Sequence, residues 1–199
     1  MTNLGGNDSA FKELKTLAEQ GHASAQYNLG VMYENGRGVP QDHREAAKWY
    51  RKAAGQGDAY AQHNFGFMYH LGLGLPQDYK QAVRWYRCAA DQGDTCAQHS
   101  LGVMYANGDG VPQDHREAVK WFRKAAEQGD AYAPRNLCVM YANGDGVPQD
   151  YVLAHMWFSL AATQGVEKAI EGRDLLAERM THEQIAEAEK LAREWWPIH

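Results

Sequence analysis

The sequence lacks the features that mark membrane-spanning and nucleic-acid-binding proteins. No run of about 18 apolar residues occurs, so we expect no membrane insertion. The N-terminus has neither the basic nor the apolar region of a signal peptide, which favours the cytoplasm for the chain as given. A periplasmic or secreted location would apply if a signal peptide had been removed. Because the net charge is −5, we expect no sequence-independent binding to nucleic acid.

Cysteine is also scarce. Cys88, Cys96 and Cys138 form an odd set that does not suit a disulfide framework. We interpret them as free thiols that pack like small apolar side chains. Cys88 and Cys96 flank one predicted helix–helix corner, so a single bridge between them remains an alternative.

Signatures of catalysis and metal binding are missing too. The chain contains no Gly-x-Ser-x-Gly segment and no phosphate-binding loop that opens a strand–helix unit. Its nine histidines never occur with His-x-x-x-His spacing. His63 and His70 lie about 10 Å apart along a helix, too far to share one ion. We therefore predict no catalytic site, no metal and no cofactor.

One eight-residue segment occurs four times, and each copy starts 36 residues after the previous one. It reads Asn-Gly-Arg-Gly-Val-Pro-Gln-Asp at 35–42, and close variants that share both glycines and the Pro-Gln-Asp end follow at 71–78, 107–114 and 143–150. A constant period of this length indicates stacked repeats. We predict repeats at 21–56, 57–92, 93–128 and 129–164. An unstructured segment 1–7 and a capping helix 8–20 precede them, and a capping helix pair 165–199 follows.

Each repeat has the pattern of two helices, which we call helix A and helix B. In the first repeat helix A runs over 23–35, and Gly36, Gly38 and Pro40 force a non-helical link. Asp42 is a suitable N-cap for helix B, and Glu45 is placed to complete a capping box. The chain is thus expected to be all-α.

Positions that stay the same in every repeat are expected to build the core. Helix A repeats an alanine, a leucine or phenylalanine, and a tyrosine; helix B repeats alanine, tryptophan and alanine. Spacings of three and four residues place each set on one helix face. The tryptophans at 49, 85, 121 and 157 are open to interpretation as a ligand cage, but their regular period favours the core.

The repeats resemble the Sel-one-like repeat (SLR) family, a relative of the tetratricopeptide repeat with a longer loop. The similarity covers residues 21–164 through the pattern Ala-x-x-x-Leu-Gly-x-x-Tyr-x-x-Gly-x-Gly-Val-x-x-Asp-x-x-x-Ala-x-x-Trp-Tyr-x-x-Ala-Ala-x-x-Gly. Cys138 departs from this pattern at a glycine position, and Leu71 and Leu73 depart from it in the second link. The resemblance implies a right-handed α–α superhelical solenoid with a concave surface lined by helix A. It also implies adaptor work, in which the chain binds another protein or an extended peptide.

Helix A positions that differ between repeats form the predicted binding surface, because framework positions are nearly identical. Offsets of three and four residues keep them on one face, and the second repeat is the least regular. Aromatic and apolar residues with polar edges are typical of interface hot spots. Ordinary surface scatter is the alternative. The predicted contact residues are Tyr27, Tyr60, His63, Phe67, His70, Leu71, Leu73, His99, Tyr132 and Arg135.

The expected function is therefore a non-enzymatic bacterial binding scaffold, with a monomer as the favoured state. Two alternatives stay open: an immunity or inhibitor protein that occupies the active site of a toxin, and a β-lactamase-like hydrolase. The second alternative comes from a cysteine-rich branch of the family, which pairs cysteines in nearly every repeat, unlike this chain. Nitrocefin turnover distinguishes it, and we expect none. Near-identical repeats also allow an engineered array, but the irregular second repeat and C-terminal cap speak against one.

Overall fold

Helices account for all regular secondary structure in the computed structural model, which describes residues 4–163 and 165–195. They are α1 (Leu4–Glu19), α2 (Ala23–Asn35), α3 (His43–Gly55), α4 (Ala59–Leu71), α5 (Tyr79–Asp91), α6 (Thr95–Asn107), α7 (His115–Glu127), α8 (Ala133–Asn143), α9 (Tyr151–Thr163), α10 (Glu167–Ala177) and α11 (His182–Trp195). Helix A is α2, α4, α6 and α8, and helix B is α3, α5, α7 and α9. The predicted all-α fold of four helix pairs with capping helices is confirmed. Within these ranges, no helix has the length and apolarity needed to cross a bilayer.

The chain divides after Ala97 into two compact units. In the first unit, α1 packs on α2 through Ala18 and Leu29. In the second unit, α7, α8 and α9 share a core that includes Leu137 and Trp157. Both α10 and α11 pack against α9 and so cover the apolar side of the last repeat.

The sequence predicts the C-terminal helices better than the start of the N-terminal helix. Helix α1 begins at Leu4, so residues 4–7 are helical although an unstructured segment was predicted over 1–7. Glycines at 5 and 6 are poor helix formers, at about 1 kcal/mol each, but propensity is a weak guide where a longer helix continues. Residues 1–3 and 196–199, at the two ends of the predicted domains, lie outside the described residues. Helix α11 begins with a capping box, in which the Thr181 N–H donates to the Gln184 side-chain oxygen and the Gln184 N–H donates to the Thr181 hydroxyl oxygen.

The link between helix A and helix B is closed by a glutamine. Gly36 and Gly38 adopt the left-handed region, with φ of 67° and 75°, and this turns the chain sharply. The Gln41 side-chain amide then donates to the Glu34 carbonyl oxygen at 2.7 Å, which satisfies one of the open carbonyls at the helix end. The same bond, from glutamine to the residue seven earlier, recurs at Gln77, Gln113 and Gln149.

Helix B is capped by aspartate, but the predicted capping box is wrong. The Asp42 carboxylate accepts from the backbone N–H groups of Arg44 at 2.8 Å and Glu45 at 3.1 Å. However, the Asp42 N–H already donates to the Tyr33 carbonyl at 2.9 Å, because the link folds back onto helix A. Glu45 therefore has no donor to cap and pairs with Lys48 instead. The third repeat does the same with Asp114, Tyr105, Glu117 and Lys120.

A buried ring of helix B lies against a glycine of helix A in three repeats. A Cβ atom added at Gly30 would lie 2.6 Å from the Tyr50 ring, so only glycine allows this approach. The corresponding pairs are Gly66 with Tyr86 and Gly102 with Phe122. In the fourth repeat Cys138 replaces the glycine, and Phe158 lies against Gly172 of α10. This contact brings the two helices of a pair close together.

The tryptophan stripe belongs to the core, with one exception. Trp49, Trp121 and Trp157 are buried, whereas Trp85 is half-buried. The Lys52 ammonium lies 4.0 Å from the Trp49 ring centroid, and its stem shields that ring. Lys124 covers Trp121 in the same way, at 4.3 Å. The equivalent position beside Trp85 is Cys88, whose side chain is shorter.

Of the three cysteines, only Cys138 packs like a small apolar side chain as predicted, since Cys88 and Cys96 are exposed. Cys138 is fully buried, and its thiol donates to the Arg135 carbonyl at 2.8 Å. Burial raises the pKa of the Cys138 thiol to about 12, which makes it inert near neutral pH. Cys88 is exposed and free, so the alternative of a bridge with Cys96 is not realised.

We predict opposite effects for two glycine-to-alanine changes. Gly30→Ala should destabilise the protein by about 1–3 kcal/mol, because the new methyl group overlaps the Tyr50 ring. Gly55→Ala is the matched control, since Gly55 is also helical but a Cβ there meets nothing within 4 Å. It should be neutral or stabilising by up to about 1 kcal/mol. Urea unfolding measures both, and equal effects would contradict the ring–glycine contact.

We also predict unequal costs for two tryptophan truncations. Trp121→Ala should lower the free energy of unfolding by about 3–5 kcal/mol, because it empties a buried site. Trp85→Ala should cost less, since part of that ring already faces water. If Trp85→Ala lowered the free energy of unfolding more than Trp121→Ala in the same urea titration, the exposure of the ring would not determine the destabilisation.

Candidate partner-binding surface

The predicted contact residues all lie on helix A, next to its first residue or in the link that follows it. The first unit contains Tyr27, Tyr60, His63, Phe67, His70, Leu71 and Leu73, and the second contains His99, Tyr132 and Arg135. Half of them are exposed, namely Tyr60, Phe67, Leu71, Tyr132 and Arg135. The other five are half-buried against neighbouring rings or the link.

Three exposed apolar side chains form one surface along α4. Tyr60, Phe67 and Leu71 are 65%, 37% and 49% exposed, respectively. Their offsets of seven and four residues place them on the same side of the helix. We refer to these three residues as the α4 surface. Large apolar groups held in water in this arrangement are typical of interaction sites.

Tyr27 and Tyr60 bring two successive repeats together. Their ring centroids are 6.0 Å apart with an interplanar angle of 40°. Tyr27 also rests on the buried Tyr50 ring, with the centroids 5.9 Å apart. We call Tyr27 and Tyr60 the tyrosine shelf. The Tyr27 ring is supported by the buried Tyr50, and the Tyr60 ring faces water.

The two histidines of α4 flank one buried tyrosine. The His63 ring lies 5.6 Å from the Tyr86 ring, centroid to centroid. His70 Nδ1 lies 3.3 Å from the Tyr86 hydroxyl oxygen, and its ring also meets Tyr79 edge-on at 5.6 Å. Both histidines therefore support Tyr86 in addition to any contact with a partner. Over the described ranges, no group of three or more His, Cys, Asp or Glu residues is arranged to hold a metal ion.

One variable helix A position follows the chemistry of the buried ring. In the first repeat the Tyr50 hydroxyl donates to a Glu34 carboxylate oxygen at 2.5 Å. Where the ring carries a hydroxyl, helix A supplies a polar side chain; where the ring is phenylalanine, it supplies alanine. The pairs are Glu34 with Tyr50, His70 with Tyr86, Ala106 with Phe122, and Ala142 with Phe158. This covariation is visible in the sequence. It appears only when the helix A position is compared with the helix B ring, and not when helix A positions are compared with one another.

In the second unit, His99 occupies the helix A position that Tyr27 and His63 hold in the first unit. Its ring lies 5.6 Å from Phe122 and 6.2 Å from Tyr132, centroid to centroid. The Asn136 side-chain amide donates to Nε2 of the neutral imidazole at 3.0 Å. Burial lowers the pKa of His99, and the carboxylate of Asp130 opposes this shift only in part. The imidazole is therefore kept neutral as part of a packed aromatic group.

A cleft of about 320 Å³ lies next to this group in the second unit. Its apolar lining includes Val103, Phe122 and Val139. Arg135 and Asn136 add polar groups to it, and Arg135 is exposed. An apolar floor with a few polar edge groups suits a partner side chain. Of these residues, only Arg135 was among the predicted contacts.

Acidification should weaken the fold through His99. Because its folded pKa is lowered, the unfolded chain binds the proton first, so this contribution is complete above about pH 6.5 and falls as the pH drops below that value. His99→Gln should therefore show a smaller loss of unfolding free energy between neutral and acidic buffer than the wild type. Urea titrations at several pH values test this. An unchanged pH dependence in the variant would contradict it.

Comparison with known proteins bears out the repeat pattern. The Sel1 repeat family matches residues 23–58, 59–94, 97–130 and 131–166. The crystal structure of c5321, a protective antigen of uropathogenic Escherichia coli with an SLR fold, is similar with a TM-score of 0.84 and 38% identity. That match covers 93% of this chain and 41% of the E. coli chain, so this chain spans about two fifths of that protein.

Two further proteins are similar over different extents. A Sel1 repeat protein from Oxalobacter formigenes matches with a TM-score of 0.79 and 36% identity, over 93% of this chain and 78% of that one. A chitin synthase regulator, SKT5, from Malassezia restricta is 48% identical over 44 residues, which are 22% of this chain and 3% of the fungal protein. Sel1 repeat proteins are generally non-catalytic scaffolds for protein interactions. Because the four matched segments cover well over half of its length, this chain belongs to the Sel1 repeat family.

Proposed function

We propose that this protein is a non-enzymatic adaptor that binds a segment of another protein on the exposed side of helix A. The observation that carries the proposal is where the exposed apolar side chains lie. Nine large apolar residues are exposed among those described, and five of them belong to α4 and α8 or immediately precede α8. These five are Tyr60, Phe67, Leu71, Tyr132 and Val139.

Helix B differs sharply in character. Its exposed positions in α3 are basic, with Arg44, Lys48, Arg51 and Lys52 all in water. Helices α2 and α4, by contrast, contain no lysine or arginine at all. Lysine is depleted at protein interfaces, whereas aromatic side chains are enriched there. The contrast supports helix A, and not helix B, as the face that a partner contacts.

The residues that best anchor a partner are those without a second role. His63 and His70 support the buried Tyr86 ring, so their substitution would disturb packing as well as binding. The side chains of the α4 surface are exposed instead, and the Tyr60 ring contacts the half-buried Tyr27 rather than a fully buried ring. We therefore assign Tyr60, Phe67 and Leu71 as the main anchors, with the remaining predicted residues extending the surface.

The test substitutes the whole α4 surface at once. Wild-type protein captures partners from a lysate of the source organism, mass spectrometry identifies them, and a purified partner is titrated by calorimetry. The Tyr60→Ala/Phe67→Ala/Leu71→Ala variant should bind at least tenfold more weakly, since loss of hot-spot residues costs about 2 kcal/mol or more. The melting temperature should change little, because all three side chains are exposed.

The matched control is Ile170→Ala/Leu175→Ala on α10. These residues are 48% and 64% exposed, so the control removes comparable apolar surface outside the repeats. It should leave the affinity within about twofold of the wild type, as expected for substitutions outside an interface. Unchanged affinity in the α4 variant, or an equal loss in both variants, would contradict the proposal.

A further inference from the structure

The tyrosine shelf is a binding surface with a defined chemical preference. Tyr60 extends into water and is 65% exposed, while Tyr27 is fixed from below by Tyr50. The two ring centroids lie 6.0 Å apart and the rings are tilted by 40°, so the exposed Tyr60 ring and the Tyr27 ring beneath it form one aromatic surface. Aromatic faces attract cations that come within about 6 Å of the ring centroid.

Carboxylates occur on the elements that carry this shelf. Glu34 lies on α2 and accepts from the Tyr50 hydroxyl, and Asp58 caps α4 by accepting from the Ala61 N–H at 2.8 Å. The pKa of Tyr27 is raised, first by burial and then by the charges of Asp58, Glu34 and Asp94, which oppose a phenolate. All of these residues belong to the first unit. The shelf therefore lies in a negative field.

The chain supplies cations from helix B to some of its other aromatic rings. Lys52 covers Trp49, Lys124 covers Trp121, and the Arg123 guanidinium carbon lies 5.5 Å from the Tyr141 ring centroid. Helices α2 and α4 carry no lysine or arginine that could do this for the shelf. A partner's cation can therefore occupy the tyrosine shelf without competing with a lysine or arginine of α2 or α4.

We propose that the tyrosine shelf receives an arginine or lysine side chain, so that the partner segment of this adaptor is basic. This inference rests on the proposed function and names the chemistry of its partner. A basic segment gains both from the π-faces and from the carboxylates of Glu34 and Asp58. An acidic segment would meet only like charge there, which disfavours it. Arginine suits the site better than lysine, because its planar guanidinium stacks on an aromatic ring.

The experiment uses a defined probe with the full chain. A fluorescein-labelled glycine–serine peptide with spaced arginines is titrated by anisotropy, beside the same peptide with citrulline, which keeps the shape and removes the charge. The arginine peptide should bind about tenfold more tightly than the citrulline peptide. Tyr60→Ala and Glu34→Gln should each weaken its binding several-fold. In Glu34→Gln the new side-chain amide still offers an oxygen to the Tyr50 hydroxyl, so the charge is removed without the hydrogen bond.

Two controls separate a specific site from general attraction to an acidic protein. Tyr79→Ala removes another exposed tyrosine, from helix α5, which lies outside the proposed surface. Glu183→Gln changes the net charge as much as Glu34→Gln does, on α11. Both should leave the affinity for the arginine peptide within about twofold, as expected away from a binding site. Circular dichroism melts confirm that each variant is folded.

Two results would overturn the inference: equal affinity for the arginine and citrulline peptides, or an equal loss from Glu34→Gln and Glu183→Gln. If either occurs while the α4 variant still loses its purified partner, the adaptor proposal stands and only the basic chemistry is wrong. If the α4 variant keeps its partner, the adaptor proposal fails whatever the peptides do.

Discussion

The close contact between a helix B ring and a helix A glycine determines most of what this protein presents to its surroundings. Tyr50 rests on Gly30 and Phe122 on Gly102, at distances that no side chain at the glycine would tolerate. The ring fills the space between the two helices. The helix A residue beside the far end of the ring must therefore suit its chemistry, with a polar side chain beside a tyrosine hydroxyl and alanine beside a phenylalanine. Glu34 does so with a hydrogen bond. A position that varies between repeats can thus still serve the core.

This constraint divides the surface into faces of different character. Helix B turns its alanines and tryptophans inward and leaves lysines and arginines in water, some of which cover its own rings. Helix A uses alanine, leucine and glycine for packing and exposes tyrosine, phenylalanine and leucine instead. In the first unit, the carboxylates of Asp58 and Glu34 act on Tyr27, whose ring lies beside the exposed Tyr60 ring. The proposed adaptor role and the proposed basic partner both follow from this division.

The sequence predicts the fold well because its signals are local and repeated. A fixed period, left-handed glycines and aspartate caps together define the helix pairs. The predictions are wrong where a contact with a residue elsewhere in the fold determines the local structure. The capping box at Glu45 fails because the Tyr33 carbonyl takes the Asp42 N–H, and Trp85 is more exposed because Cys88 is shorter than lysine. For the site, pattern predicts which residues vary, but contacts such as Tyr27 with Tyr60 depend on the geometry between repeats.

The central claim is that repeated residues hold the fold while the exposed side of helix A meets the partner. Hydrogen–deuterium exchange of the purified complex tests it most directly, because it reports each helix separately. The account predicts that the partner slows exchange in α2, α4 and the links that follow them, and leaves α3 and α5 as they are in the free protein. Slower exchange in α3 and α5, with α2 and α4 unchanged, would contradict it.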